Sequence, residues 1–318
     1  MRESEHMIPA SGIPRAVLMD MDGGVDDFMA LALLLTLPHI EVIGVLVTPA
    51  DCYLEPALSA ARKLLALLNR TDIPLARSRV RGQNAFPAIF RKDAFVVDLL
   101  PVLNEKDREG PPLAQEEGPA FILRRLREAS RPVTLLVTGP LTNLAQALDL
   151  DPGLEARIEE VLWMGGALDV PGNVDPFLEP GHDGTAEWNA YWDPVAVQRV
   201  LASAVALRMF PLDVTEKVPV TSDFLRRLAR QRRYPLSDLA AQCYATVAWS
   251  RYCMWDVLTT AWLARPELFT FQEAEVAVHT EGPSQGRIVR QPRGRRVQVA
   301  VDVEVEAFYR FLLEAWAR

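Results

Sequence analysis

The 318-residue chain is poor in cysteine and in long apolar runs, and each shortage excludes a class of protein. Its three cysteines, Cys52, Cys243 and Cys253, are odd in number and far apart, which argues against a disulfide framework and favours a reducing compartment. None belongs to a CxxC motif or a Cys/His pair, so the sequence offers no zinc site. The most apolar stretch, Met29 to Pro38, is about half the length of a membrane-spanning helix. Because the first residues also lack the apolar core of a signal peptide, we expect a cytoplasmic protein without a membrane partner.

The chain also lacks a basic stripe, and its formal net charge is −8. Nucleic acid is therefore not an expected partner, whereas an acidic balance helps to attract a cation. Apolar residues make up 49% of the sequence, which is enough for a large core. Repeats, low-complexity tracts and linkers are missing, so we predict one domain over residues 1–318, with residues 1–13 as a flexible N-terminal extension.

Short β-branched runs alternate with helical patterns along the chain. This alternation predicts an α/β fold, a single Rossmann-like domain with a mostly parallel sheet flanked by helices. The predicted strands are 16–21, 41–48, 132–138, 159–164 and 206–210, with a β-rich region at 274–304. The predicted helices are 26–37, 55–68, 120–129, 140–148, 193–202, 221–233, 236–264 and 306–317. Long loops are predicted at 78–115 and 167–189, and the active site at the carboxyl ends of the strands.

The strongest chemical signal is the segment MDMDGGVDDF, which places four aspartates within eight residues after an apolar strand. Asp20 and Asp22 are two apart, so in an extended segment they share a face, while Asp26 and Asp27 fall in the first turn of a helix. Carboxylates this concentrated must be protonated, hydrogen-bonded or bound to a cation. Oxygen ligands select a hard ion, Ca²⁺ or Mg²⁺. The alternative is that Asp26 caps the helix and the others are solvated.

The cluster resembles the amino-terminal signature of the nucleoside hydrolase family, Asp-x-Asp-Pro-Gly-x-Asp-Asp, with Gly23 in place of the proline. Further segments resemble the family's later motifs in the same order, namely 135–148, 163–176, 183–194 and 254–262. The resemblance implies an enzyme that uses a calcium-bound water to hydrolyse the N-glycosidic bond of a ribonucleoside, giving ribose and free base. It also implies a homo-oligomer, a dimer or a tetramer.

The resemblance assigns roles residue by residue. The ligands of Ca²⁺ would be the carboxylates of Asp22, Asp27 and Asp256 and the backbone carbonyl of Thr138. Asp22 would also be the catalytic residue, the general base for the attacking water. The ribose would contact Asp26, Asn173, Glu187, Asn189 and Met164. The base would contact Trp255, Phe90 and Asp51.

Trp255 decides the expected base preference, because the pyrimidine-accepting branch of the family has a histidine there. Together with segments 185–194 and 48–55, it resembles the purine-specific branch that prefers inosine, adenosine and guanosine. A tryptophan face stacked on a protonated purine contributes about 1–2 kcal/mol, or about tenfold in rate. Two positions depart from that branch, since Phe90 stands where it has tryptophan and Gly24 where it has asparagine. The sequence does not identify a proton donor for the leaving base.

Other functions remain open at this point. One is a broad-specificity or pyrimidine-accepting nucleoside hydrolase. Another is a haloacid-dehalogenase-type phosphatase, whose Asp-x-Asp-Gly-Thr-x-x-Asp motif matches Asp20 to Asp26 except that Gly24 stands at the threonine. A third is a non-catalytic nucleoside-binding protein, although a binder has no need of a base for water.

Overall fold

Nine strands form one sheet in the computed structural model, which describes residues 13–318. The strands are β1 Arg15–Met21, β2 Ile40–Val47, β3 Leu75–Arg77, β4 Val133–Val137, β5 Ile158–Met164, β6 Leu207–Phe210, β7 Phe269–Val278, β8 Ile288–Arg290 and β9 Arg295–Val303. Their order is β3-β2-β1-β4-β5-β6-β9-β7-β8. The pairs from β3 to β9 are parallel, and β7 and β8 are added by antiparallel pairing.

The strand order reverses between β1 and β4, which pair in parallel register. In an open parallel sheet, ligands bind beyond the carboxyl ends of the strands at such a reversal. The acidic segment follows β1 and Thr138 follows β4 directly, so the topology places both at this point. The predicted α/β fold with a mostly parallel sheet is confirmed.

Fourteen α-helices and two 3₁₀ helices occur within the described residues. The α-helices are α1 Val25–Leu34, α2 Leu54–Leu67, α3 Ala88–Arg91, α4 Asp93–Asp98, α5 Pro101–Asn104, α6 Gly118–Glu128, α7 Thr142–Leu150, α8 Trp188–Trp192, α9 Pro194–Leu201, α10 Leu212–Thr215, α11 Ser222–Arg230, α12 Pro235–Val247, α13 Trp255–Ala261 and α14 Val305–Ala315. The 3₁₀ helices are Pro152–Arg157 and Pro266–Leu268.

The helices cover both faces of the sheet. Along β1, Val17 and Met19 pack into a layer with α1, α2, α12, α13 and α14, whereas Leu18 packs into the opposite layer with α6, α7 and α9. This alternation follows from the two-residue period of a strand. Burial on both faces is the usual condition of a parallel sheet and explains why its strands are almost wholly apolar.

The predicted helix at 236–264 is wrong, because the chain leaves helical geometry between α12 and α13. The backbone N–H of Val220 donates to the carbonyl of Tyr252, and that of Met254 donates to the carbonyl of Val218, so residues 252–254 pair with an extended segment instead. The predicted loop at 78–115 contains the short helices α3, α4 and α5. Residues of both segments line the cavity described below.

No helix within residues 13–318 is long and apolar enough to cross a membrane. All three cysteines are free and buried. Of the predicted extension at residues 1–13, all but Ile13 lies outside the described residues.

Candidate active site

A cavity of about 320 Å³ lies at the carboxyl edge of the sheet, where the strand order reverses. It is lined by all but one of the residues predicted for the site: Asp22, Asp27, Asp51, Phe90, Thr138, Met164, Asn173, Glu187, Asn189, Trp255 and Asp256. Asp26 is the exception. Residues more than 200 positions apart in the sequence therefore share one cavity, as side chains that bind a small molecule do.

The carboxylates of Asp22, Asp27 and Asp256 are buried together. Burial raises the pKa of Asp22 and of Asp256 well above the ordinary value, and repulsion from Asp27 raises both further. Burial also raises the pKa of Asp27, although hydrogen bonds partly oppose the shift. Three buried carboxyl groups that repel one another are stabilised either by protons or by a cation.

Asp27 connects three elements of the fold. One of its oxygens accepts a hydrogen bond from the Thr138 hydroxyl at 2.6 Å, and the other accepts one from the backbone N–H of Gly24 at 2.8 Å. The N–H of Asp22 also donates to Asp27, at 3.3 Å. Among residues 13–318, no three histidine, cysteine, aspartate or glutamate side chains converge tightly enough to hold a metal ion by themselves. Binding of a cation by these residues therefore also requires a carbonyl ligand or a rotation of carboxylates.

Asp26 has a different set of partners from its neighbour. One oxygen accepts from the backbone N–H of Asp256 at 2.6 Å and from that of Val257 at 3.1 Å, while the other accepts from the Tyr244 hydroxyl at 2.6 Å. A carboxylate at the free N–H groups of a helix start is a favourable arrangement. Asp26 thus links α1 to the start of α13. This link brings Asp256 of α13 into the cavity that Asp27 of α1 lines. Its predicted contact with a ribose hydroxyl stays a prediction.

We expect Asp26→Ala to lower the free energy of unfolding by about 3 kcal/mol, because two backbone N–H groups and a phenol would lose a buried acceptor. The control Tyr244→Phe removes only the phenol hydroxyl and should lower the free energy of unfolding by about 1 kcal/mol. Urea unfolding followed by circular dichroism measures both variants. Equal stability of Asp26→Ala and the wild-type protein would show that the carboxylate does not hold α13.

Asp20 does not line the cavity that Asp22 lines, contrary to the expectation that the two side chains share a face. Its carboxylate accepts from the Thr48 hydroxyl at 2.6 Å and from the Asn143 amide at 3.0 Å, beneath the cavity. Since β1 ends at Met21, the strand alternation no longer applies at Asp22. Burial raises the pKa of Asp20 to about 7.

A polar wall of the cavity is built at the start of α8. Glu187 caps this helix, accepting from the N–H groups of Asn189 and Ala190, and it also accepts from the N–H of Gly166 at 2.8 Å. Burial raises the pKa of Glu187 to about 6. The Asn189 amide donates to the carbonyls of Thr138 and Met164, both at 3.1 Å. Its own oxygen is buried and has no partner within the described residues, so it can accept a hydrogen bond from a bound hydroxyl.

Aromatic side chains form other parts of the lining. Phe90 meets Trp188 edge to face, with ring centroids 6.0 Å apart, and Phe86 packs on the same indole at 5.3 Å. Trp255 meets Tyr252 edge to face at 4.6 Å. Near them, one buried oxygen of Asp51 has no hydrogen-bond partner in the described part of the chain. Aromatic faces beside an acceptor suit a heterocyclic base with N–H groups.

Sequence reasoning did not assign roles to several residues of the lining, namely Phe86, Asp93, Trp188, Trp249, Arg251 and Tyr252. Trp188 stands between two predicted ribose contacts, which is a local signal. For Tyr252, only its position four residues before Asp256 could have pointed to the site, since the bend between α12 and α13 is not visible in the helical pattern.

Comparison with known proteins gives one consistent result. The profile of a family described as inosine-uridine preferring nucleoside hydrolase matches residues 17–310. The pyrimidine-specific ribonucleoside hydrolase RihA of Klebsiella pneumoniae is 33% identical over 326 residues, covering 95% of this chain and 98% of the relative. A crystal structure of an inosine-uridine preferring nucleoside hydrolase from Bacillus anthracis superposes with a TM-score of 0.91 at 42% identity, over 95% of this chain and 99% of that one. A purine-preferring ribonucleoside hydrolase from Gardnerella vaginalis shares the fold, with a TM-score of 0.77 at 23% identity, over 95% of this chain and 98% of that one.

Proposed function

Because the chain belongs to the inosine-uridine preferring nucleoside hydrolase family, whose members cleave the N-glycosidic bond of ribonucleosides, we propose that it hydrolyses purine ribonucleosides with the help of Ca²⁺. The observation that carries the proposal is the shared cavity of Asp22, Asp27 and Asp256. These carboxylates come from opposite ends of the sequence, and a polar wall and aromatic side chains complete the same cavity. The polar wall suits the hydroxyl groups of a sugar, and the aromatic side chains suit a base.

The donor set suits a hard cation. Asp22, Asp27 and Asp256 offer carboxylate oxygens, and the Thr138 carbonyl accepts a hydrogen bond from Asn189, a residue that lines the same cavity. Calcium prefers such oxygen ligands and tolerates irregular geometry. When bound, the ion would supply positive charge that makes a water molecule more acidic. It would also relieve the repulsion that raises the pKa values of these carboxyl groups.

The residues of the cavity account for the remaining chemistry. Asp22 takes a proton from the attacking water as the water oxygen bonds to C1′ of the sugar. The C1′–N electron pair leaves with the base, and positive charge builds on C1′ and the ring oxygen. Buried carboxylates around the sugar stabilise that charge. Asn173, Glu187 and Asn189 hold the hydroxyl groups and so fix the reacting geometry.

Purine preference is supported by Trp255, which lines the cavity beside Tyr252, and by the acceptor of Asp51. A second candidate is pyrimidine nucleosides, because the RihA relative that is 33% identical is named pyrimidine-specific. The two candidates share one reaction and differ only in the base. The resemblance also supports a homo-oligomer, and the exposed apolar side chains of Phe95 on α4 and of Leu99 directly after it are candidates for its interface. The three free cysteines support a reducing compartment, and we propose the cytoplasm. Light scattering of the purified protein tests the oligomer.

We expect kcat/KM for ribose release from inosine to exceed that from uridine by about tenfold, which is the contribution of a stacked tryptophan. Trp255→Ala should remove most of this difference by lowering the value for inosine. A reducing-sugar assay measures both substrates.

Equal values for the two nucleosides in the wild-type protein would contradict purine preference. An equal loss on both in Trp255→Ala would assign the indole to packing. Turnover of a generic phosphoester with Mg²⁺, without ribose release, would favour the phosphatase alternative. Tight binding of inosine without ribose release would favour a binding protein.

A further inference from the structure

The cavity lining is rich in carboxyl groups, and their chemistry matters for the departing base. Carboxylates of Asp22, Asp27, Asp51, Asp93, Glu187 and Asp256 line it. A base that leaves with the electron pair of the C1′–N bond becomes negatively charged unless a donor stabilises it. The carboxylates proposed as cation ligands and as general base cannot do so, because an ionised carboxylate only accepts hydrogen bonds. A donor to the base must therefore come from another side chain.

The Trp255 indole N–H is buried without a partner in the described residues, but an indole that stacks on the base by its face directs this in-plane N–H away from it. The Arg251 guanidinium is exposed and pairs with Glu216, so the hydroxyl groups remain to be compared.

Three hydroxyl groups line the cavity within the described residues, those of Thr138, Ser250 and Tyr252. The Thr138 hydroxyl donates to Asp27 at 2.6 Å, and the Ser250 hydroxyl donates to the carbonyl of Val247 at 3.2 Å. The Tyr252 oxygen instead accepts, from the backbone N–H of Asp26 at 3.1 Å. No residue in the described part of the chain accepts the proton of Tyr252, so this hydroxyl retains a free donor.

Tyr252 is held firmly in place. Its carbonyl accepts from the N–H of Val220 at 2.8 Å, its hydroxyl is fixed by Asp26, and its ring packs edge to face against Trp255. Burial raises the pKa of the phenol well above its ordinary value, and the nearby charges of Asp26, Asp51 and Asp256 raise it further. The hydroxyl therefore keeps its proton at neutral pH. Tyr252 lines the same cavity as Asp51 and Asp256.

We propose that the Tyr252 hydroxyl donates a hydrogen bond to the base as it leaves, at the ring nitrogen or carbonyl oxygen that gains negative charge. The inference rests on the proposed nucleoside hydrolysis. In the step, the C1′–N bond breaks with its electron pair on the base, water forms the new C1′–O bond, and Asp22 takes a proton of that water. The Tyr252 proton stays on the phenol, and the base takes its proton from solvent. Tyr252 is thus a catalytic donor that the sequence did not identify.

The test compares Tyr252→Phe on two substrates with different leaving groups. Inosine releases a basic leaving group that needs a donor, whereas p-nitrophenyl β-D-riboside releases a phenolate that is stable without one. We expect kcat for inosine to fall by about 10²-fold, as for loss of one donor to a developing anion, and kcat for the p-nitrophenyl riboside to change by less than about threefold. If uridine is the better nucleoside substrate of the wild-type protein, it replaces inosine.

The control is Tyr309→Phe, which removes a buried hydroxyl that donates to the carbonyl of Pro219. Neither Tyr309 nor Pro219 lines the cavity. The substitution should leave both rates near those of the wild-type protein. Equal losses on both substrates in Tyr252→Phe would show that Tyr252 acts through Asp26 and the fold, and would overturn the inference. Unchanged rates on both would overturn it as well. If the wild-type protein released ribose from neither substrate, the proposed function itself would fail, and the two failures are therefore distinguishable.

Discussion

Asp22→Asn is expected to lower kcat for inosine by about 10⁴-fold, the upper end of what a general base contributes. Asparagine has nearly the same shape as aspartate but cannot take a proton from water. It also removes one negative charge from a buried group in which Asp27 and Asp256 already repel Asp22. The substitution should therefore leave the fold intact and raise the melting temperature in the absence of a cation. Steady-state ribose release and a thermal melt measure these two effects.

Asp51→Asn is the matched control, because it makes the same change at another buried carboxyl group of the same cavity. Its effect on kcat should stay below about tenfold, since a single hydrogen bond to the base contributes about 1 kcal/mol. Isothermal titration with Ca²⁺ separates the two roles assigned to Asp22. Near-normal kcat in Asp22→Asn would eliminate it as the base, and a large loss with no Ca²⁺ binding would assign it to the ion alone.

The sequence was sufficient for the features that depend on neighbours along the chain. The strand before Asp22 and the helix that carries Asp27 follow from runs of apolar residues with the right period. The spacing of apolar residues does not specify where the strand order reverses. However, a chain of alternating strands and helices can adopt few other arrangements. This is why the sequence pointed to the edge of the sheet at which the cavity lies.

Features set by distant contacts could not be predicted in the same way. The break between α12 and α13 depends on pairing of residues 252–254 with residues 218–220, which no local pattern shows. Asp26 and Asp27 are adjacent in the sequence and look equivalent there. In the structure Asp26 holds the start of α13, while Asp27 lines the cavity. The direction of Asp20 likewise depends on where β1 ends.

Chelation of divalent ions is expected to lower kcat by at least about 10³-fold, because a bound ion would make more acidic the water from which Asp22 takes a proton. The melting temperature should report the ion independently of activity. Binding to the folded state alone stabilises a protein by about 4 kcal/mol when the ligand is present at about 1,000 times Kd. Re-addition of Ca²⁺ to the chelated protein should restore both kcat and the melting temperature. In Asp256→Asn, the increase in melting temperature caused by Ca²⁺ should be smaller.

The pH dependence gives this prediction a definite sign. Burial raises the pKa of Asp22 and Asp256 well above the unfolded value near 3.8. The stability that protonation of these groups contributes is therefore complete below that value and is lost as pH rises through the folded pKa. Without a cation, the melting temperature should fall as pH is raised from about 4 to 8. Since Ca²⁺ binds the ionised carboxylates, the increase in melting temperature that it causes should grow over the same range. A calcium effect that is independent of pH would place the ion away from these aspartates.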